Sequence, residues 1–457
     1  MSGGGDSFPA ASKRTFFRAL NGTSIDNLPD EVLIEILCRL PCYKFVSQCK
    51  FVSNRWCTLT SNPLFIRRFL SLQSDRKTNR TLINRRGEEF LNRMSSSSQP
   101  LSPLFKRIMS FHGLKEEPVV EGTYNDLVLC CASKYEQRDY YICNPYTMQW
   151  LPLPPPPQLV HYAPVGFTCD LRYYNCNKEN EVQLNAEYRC VVVRLILPCG
   201  QRFSCKFKVQ LFSSETGEWK ESIVSSPSPV GVEIAIDRKV ISPFAYKGML
   251  FWGDFGCERR FLIGLDPFMI NSTISTNGGD TIDHYKCRFI EFRHDFSPPV
   301  RCLGEYRGCL RMGSPNSEGL FTFHDLTEEE THGARRAIVK YLKLETIKNF
   351  HFMTTAMYHG HYCYFQVLAI DPNNEDILYV QKLDDELDGK QDGDIFRCNI
   401  TTNGYSRINC FPIDEKHRIE LSYVHFPLVV PWWPTPLPRL PQHMRAAHLN
   451  PQSSWNP

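Results

Sequence analysis

Leu28-Pro29-Asp30-Glu31-Val32-Leu33-Ile34-Glu35-Ile36-Leu37-Cys38-Arg39-Leu40-Pro41, with Val52-Ser53-Asn54-Arg55-Trp56 close behind, reads as short helices too small to bury their own apolar faces. Pro29 suits a first helical turn, where its missing N–H has no partner to lose. Asp30 and Glu31 follow at the end of the helix dipole that favours negative charge. Val32, Leu33, Ile36, Leu37 and Leu40 then fall at i, i+1, i+4, i+5 and i+8, one broad apolar stripe. Pro41 ends the helix. A second run covers Phe45 to Cys49, and a third covers Ser53 to Thr60 with Trp56 and Leu59. Asn62-Pro63 breaks the pattern before Phe65, Ile66, Phe69 and Leu70 begin a further amphipathic stretch.

This ordered combination resembles an F-box, the helical module that docks a substrate receptor onto a Skp-type adaptor in a cullin ubiquitin ligase. The likeness runs from about Ile25 to Phe69 and rests on the Leu-Pro opening, Ile36-Leu37, Leu40-Pro41, and Val52 with Trp56. It implies that Leu28, Pro29, Ile36, Leu37, Leu40, Pro41, Val52 and Trp56 form the adaptor contact. Gln48 departs from it, standing where many relatives carry a basic residue. If these helices are instead only the start of a globular domain, the rest of the chain covers the stripe.

Composition narrows the classes. A formal net charge of +3 points to neither nucleic acid nor an anionic membrane as a partner. No apolar run reaches bilayer-spanning length. Met1 to Ser7 lacks a signal-peptide core, and Ser2 replaces the Gly that N-myristoylation needs. The expected location is cytoplasm, nucleus or both. The 19 cysteines are scattered and odd in number, which suits reduced thiols used as small buried hydrophobes. No pair of Cys-x-x-Cys knuckles stands at zinc spacing. His359, His361 and Cys363 would share a strand face, but they lead into Tyr364-Phe365-Gln366-Val367-Leu368 and read as a loop-to-strand boundary. No metal is expected.

Behind the helices, 73–102 is polar and basic, with Arg85-Arg86 and Ser95 to Ser98, and reads as a linker. From about Pro103 strands recur in pairs. Leu127 to Cys131 is followed by Tyr140 to Pro152, with a turn at Asn144-Pro145. Tyr188 to Val193 with Phe207 to Trp219 repeats the unit, the turn falling at Thr216-Gly217. Tyr246 to Trp252 with Phe261 to Pro267 is a third copy, and Tyr306 to Met312 with Leu320 to Leu326 a fourth. His361 to Pro372 and Ile377 to Leu383 continue it, and Ile395 to Ile400 with Tyr405 reads as a last, partial copy. The period is roughly 60 residues, longer than the ~50 of kelch and the ~40–45 of WD40 blades. The units resemble the kelch-like associated region of plant-type F-box proteins, over about Pro103 to Phe426. Most expected glycine pairs of a kelch blade are missing, and Gly278-Gly279 lies in a polar loop. A two-sheet sandwich and an irregular, incomplete β-propeller both stay open.

The expected fold is therefore α+β by segregated domains. A small all-α F-box module (23–72) follows a disordered 1–22, and the linker 73–102 leads to a large all-β domain (103–430), kelch-like or an irregular β-propeller. A Pro-rich tail (431–457) comes last, disordered beyond an anchor at Trp432 and Trp433. Pro152 to Pro157 reads as a stiff loop. Asp384 to Asp394 lacks the helices and closing Glu of a calcium loop.

No nucleophile elbow, phosphate-cradling loop or metalloprotease motif occurs, and Glu328-Glu329-Glu330 reads as a solvated run. The resemblance implies a non-catalytic subunit without cofactor. Its partners are a Skp-type adaptor, through it a cullin, and a target protein that loop side chains select. A propeller-like scaffold with no ligase role is the rival, and a propeller enzyme using the cluster at His359 is a third reading.

Overall fold

In the computed structural model the chain divides into two units. One holds the N-terminal helices together with 174–184, and the other holds the rest of the strands. The structure describes residues 25–73, 79–89, 101–133, 136–160, 163–176, 182–185, 187–197, 204–230, 243–253, 261–273, 282–291, 302–306, 309–315, 321–326, 344–350, 363–384, 395–402, 404–408 and 425–441. The expected disorder of 1–22, Gly278-Gly279, Glu328 to Glu330, His359 to Tyr362 and the acidic run after Asp384 lie outside these residues.

In the helical unit a 3-10 turn, Ile25–Asn27, leads into α1 (Asp30–Cys38), α2 (Tyr43–Cys49), α3 (Asn54–Ser61) and α4 (Pro63–Gln73). In the strand unit the stretch read as linker carries β1 (Arg80–Asn84), with Thr81, Leu82, Ile83 and Asn84 buried. A helix, α5 (Ser102–His112), then stands where strands were expected. Leu104, Phe105 and Ile108 fall at helical spacing and are fully buried, and Gly113 closes the helix in the left-handed region at φ 66°.

Among the described residues, five four-stranded antiparallel sheets follow, each built outward in chain order. The first is β2 (Val119–Tyr124), β3 (Leu127–Cys131), β4 (Tyr140–Asn144) and β5 (Gln149–Pro152). The second opens with β6 (Val165–Cys169). After it, β7 (Tyr174–Cys176) and β8 (Val182–Leu184) form a separate hairpin that belongs to the helical unit, where β8 packs on α4. The second sheet resumes with β9 (Cys190–Ile196), β10 (Ser204–Ser213) and β11 (Glu218–Val230). The third is β12 (Phe244–Tyr246), β13 (Met249–Trp252), β14 (Phe261–Thr273) and β15 (Ile282–Glu291). The fourth is β16 (Cys302–Tyr306), β17 (Cys309–Pro315), β18 (Phe321–Leu326) and β19 (Leu344–Phe350). The fifth is β20 (Cys363–Ile370), β21 (Ile377–Asp384), β22 (Ile395–Asn399) and β23 (Tyr405–Ile408). The strands read as a last, partial copy are thus the outer half of the fifth sheet.

First strands of successive sheets are neighbours: β2 with β6, β6 with β12, β12 with β16, and β16 with β20. The gap between the fifth and first sheets is filled from both ends of the unit. There β1 pairs with β24 (His425–Val429), register Arg80↔Val429 to Asn84↔His425. β24 lies against β2, and Leu82 packs with Leu368, Ile377 and Tyr379 of the fifth sheet. Asn373 brackets Arg80, accepting from its N–H at 2.8 Å and donating to its carbonyl at 2.5 Å. Among the described residues the sheets therefore close a ring, five four-stranded blades with β1 and β24 in the sixth position, a β-propeller rather than a sandwich.

The expected tail is built in at its start. Trp433, Thr435 and Leu440 are buried. The Asp126 carboxylate accepts from Thr435 N–H at 2.7 Å, Thr435 Oγ1 at 2.5 Å and Asn144 Nδ2 at 2.9 Å. Tyr188 donates its hydroxyl to the Pro436 carbonyl, and Leu437 and Leu440 pack between the first two blades. The Pro152–Pro157 run is likewise held, since Trp219 Nε1 donates to Pro154 O at 2.8 Å.

Blade contact demands small residues on the first strands. A Cβ on Gly166 would lie 2.7 Å from Trp252 Cζ2 and 2.8 Å from Leu250 Cδ1, and one on Gly304 would lie 2.6 Å from Ile370 Cδ1. Replacing Gly166 by Ala forces Trp252, itself fully buried, off its seat. We expect Gly166→Ala to destabilise the chain by about 1–3 kcal/mol, read as a lower urea midpoint at unchanged slope.

Candidate docking surface

The helices of the first unit are held by a few local devices. Asp30 and Glu31 occupy the first turn of α1 after Pro29. Ser53 caps α3, its hydroxyl accepting from Trp56 N–H at 3.3 Å, and Asn62 Oδ1 accepts from Leu64 N–H at 2.9 Å as α4 begins. Arg55 ties the Leu28-Pro29 opening to α3: its guanidinium donates to Asp30 Oδ1 at 2.9 and 2.5 Å and to Leu28 O at 2.6 Å. Glu35 receives Arg39 at 2.9 Å and Arg68 at 3.2 Å, and those two guanidinium groups hold its carboxyl below the usual range. The carboxylate is exposed, so the pair sets geometry more than stability.

Inside, Leu33, Leu37 and Cys38 of α1 meet Val46, Trp56, Phe65, Ile66, Phe69 and Leu70 in burial, with Phe65 and Phe69 stacked at 6.3 Å between centroids. Burial pushes the Cys38 thiol up to about 12. Outside, the broad apolar stripe of α1 continues. Val32 and Ile36, one turn apart, face solvent, as do Phe45 of α2 and Leu64 of α4. Phe51 is 89% exposed and Val52 58% exposed in the turn after α2.

The residues expected to meet a partner therefore separate into two groups. Pro29, Ile36, Pro41 and Val52 are exposed, and Leu28 and Leu40 are half-buried. Leu37 (2% exposed) and Trp56 (6%) instead belong to the interior. A five-residue stripe spans more of the helix surface than one contact can cover, so its Leu33/Leu37 edge packs inward and its Val32/Ile36 edge stays out. Phe51, Phe45, Leu64 and Arg55 were not among the expected contacts. Phe51 carried a signal: a large aromatic next to Val52 in a turn, outside any helical stripe, has no interior to enter.

The described residues contain no group of three or more His, Cys, Asp or Glu side chains able to hold a metal ion. Nor, among them, is any helix long and apolar enough to cross a membrane. What this surface can do chemically is bind, by taking exposed apolar side chains out of water.

Residues 25–71 match the F-box-like family. Residues 98–406 match the family described as "F-box protein At3g26010-like, beta-propeller". The chain belongs to this F-box β-propeller family. F-box protein At3g26010 of Arabidopsis thaliana is 24% identical over 201 residues, 44% of each chain. F-box protein At5g49610 of the same plant is 29% identical over 210 residues, covering 43% of this chain and 50% of that protein. F-box protein At3g28330, also from Arabidopsis thaliana, is 24% identical over 257 residues, 54% of this chain and 58% of the relative. The chain spans about half the length of the curated relatives it matches. The F-box match coincides with α1 to α4, and the propeller match runs from α5 to the start of β23, leaving out β1 and β24.

The two-sided α1 stripe makes a direct prediction. Leu37→Ala is expected to cost about 2–5 kcal/mol, because a buried side chain leaves a cavity. Ile36→Ser and Phe51→Ser are expected to change stability by less than about 0.5 kcal/mol. Thermal or urea unfolding of the three variants beside the wild type checks the division.

Proposed function

We propose that this chain is the substrate-recognition subunit of an SCF-type E3 ubiquitin ligase. The F-box docks on a Skp-type adaptor, and through it a cullin, while the propeller binds a target protein for ubiquitination. In this reading the subunit is non-catalytic: other subunits carry out ubiquitin transfer, and it acts wherever cullin ligases do, in cytoplasm or nucleus. The observation that carries the proposal is the set of large apolar side chains left facing solvent on the F-box helices, Phe51 and Val52 above all. Monomeric proteins keep such patches for partners. Covering each side chain contributes about 1.5–3 kcal/mol. Leu28 and Pro29 support the reading because Arg55 fixes the opening where the family makes its contact.

The test is a pulldown of the purified full chain with a Skp-type adaptor. Leu28→Ala with Pro29→Ala is expected to abolish capture while the propeller stays folded by circular dichroism. Phe51→Ser is expected to weaken the complex about 10–100-fold at unchanged stability. Binding at wild-type affinity in both variants overturns the assignment and leaves a propeller scaffold with no ligase role.

A further inference from the structure

Two buried thiols meet where the second blade begins. Cys169 is the last residue of β6 and Cys190 the first of β9, and the register sets them directly opposite each other. The backbone N–H and carbonyl of Cys190 both engage Ser214, on the side away from Cys169: its N–H donates to Ser214 Oγ at 2.9 Å and its carbonyl accepts from Ser214 N–H at 2.9 Å. The next pair out, Asp170 and Arg189, carries the inter-strand bond, Asp170 N–H to Arg189 O at 3.0 Å. Cys169 and Cys190 are therefore a non-hydrogen-bonded pair, the kind whose Cα atoms come to about 4.5 Å in an antiparallel ladder. That spacing lies inside the range a disulfide spans. The sulfurs are 3.0 Å apart. Both side chains point into the core between the first two blades, beside Phe167, Tyr188 and Val192.

We propose that Cys169 and Cys190 form a reversible cross-strand disulfide under peroxide. Peroxide converts one thiol to a sulfenic acid and leaves as water. The second thiol then attacks that sulfur, the S–O bond breaks as the S–S bond forms, and the hydroxyl departs with the thiol proton as a second water. Peroxide is reduced and the two sulfurs are oxidised, with nothing left over. Burial keeps the Cys169 thiol protonated, well above its ordinary value, so reaction waits on transient opening of the β6 end. Once one sulfur is oxidised, the other is already in place.

The bond has a mechanical consequence. Between the two cysteines the chain leaves the blade, makes the β7–β8 hairpin and returns. The neck of this excursion is also held by Asp170 Oδ1 accepting from Arg189 N–H at 2.8 Å, by the Arg189–Asp170 ion pair at 3.4 Å, and by Asn185, whose N–H donates to Tyr173 O and whose Nδ2 donates to Arg172 O, both at 2.7 Å. A disulfide adds a covalent clasp to these non-covalent ones. A second close pair serves as an internal comparison. Cys143 faces Val128 and Cys130 faces Tyr141 across β3 and β4, a diagonal rather than directly opposed relation, for which antiparallel ladders set the Cα atoms about 7–8 Å apart.

The experiment treats the folded full chain with hydrogen peroxide, blocks remaining thiols, then digests with trypsin without reductant. The expected product joins Asp139–Arg172 to Cys190–Arg194, lighter by two hydrogens, with fragmentation placing the bond at Cys169. Dithiothreitol should release it, C190A should abolish it, and C143A should leave it intact. Either of two results overturns the proposal: no such peptide when exposed Cys57 and Cys205 are fully oxidised, or its appearance only in denaturant. Because the wild-type peptide map decides the matter, misfolding of a variant cannot obscure it.

Discussion

The propeller depends on how closely its first strands approach one another. Where Gly166 meets Trp252 and Leu250, and Gly304 meets Ile370, there is no room for even a methyl group. This approach buries both faces of a blade, so the inner strands cannot alternate apolar and polar residues. Leu127 to Cys131 is buried at every position, as is Cys190 to Leu195. Adjacent Cys130 and Cys131 serve opposite faces, one packed with Val128 and Tyr141, the other with Leu129 and Tyr140. Two charged side chains in these seams are paired there. Arg194 is fully buried, donates to Gln158 O at 3.0 Å, to Gln210 Oε1 and to Gln137 O at 3.3 Å, and lies over the Tyr140 and Trp219 rings. Glu121, also buried, meets Arg85 at 2.7 Å.

The helical unit solves the opposite problem. It has too little chain to cover its own apolar surface, and α1 shows how the shortage is divided. Leu33 and Leu37 hold the unit together, while Val32 and Ile36 on the same helix are left facing solvent. Interior packing and the exposed apolar surface are thereby carried by different side chains a few residues apart, so each can be altered without the other. Arg55 joins the two tasks, since the residue that closes α3 onto the Leu28-Pro29 opening also fixes the edge presented to solvent.

Much of this was legible in the sequence because it is local. Pro29 with its acidic first turn, the helical run from Ser53, the Asn62 break and the paired strands of each blade are set within a few residues of one another. Helical periodicity fixed the existence of the apolar stripe on α1, but not that Leu37 and Trp56 point in while Ile36 and Val52 point out. That choice is made by α3 and α4, whose packing no local pattern encodes. β1 was hidden for a related reason. Thr81-Leu82-Ile83 sits in a basic, linker-like stretch, and its partner β24 is supplied from the other end of the unit. The same distance concealed Thr435, whose Pro-rich surroundings suggest disorder until Asp126 and Asn144 are seen to hold it.

Closing the ring with strands from both ends also imposes an order in time. At synthesis rates of ~5–20 residues per second, β24 emerges roughly 20–70 s after β1. Throughout that interval β1 has no strand to pair with, and the seam between the first and fifth blades stays open. Helix formation and short-range packing take far less than a second. The F-box can thus be complete on the ribosome while the propeller behind it is still an open arc, its unpaired first-blade edge exposed to any chaperone or neighbouring nascent chain.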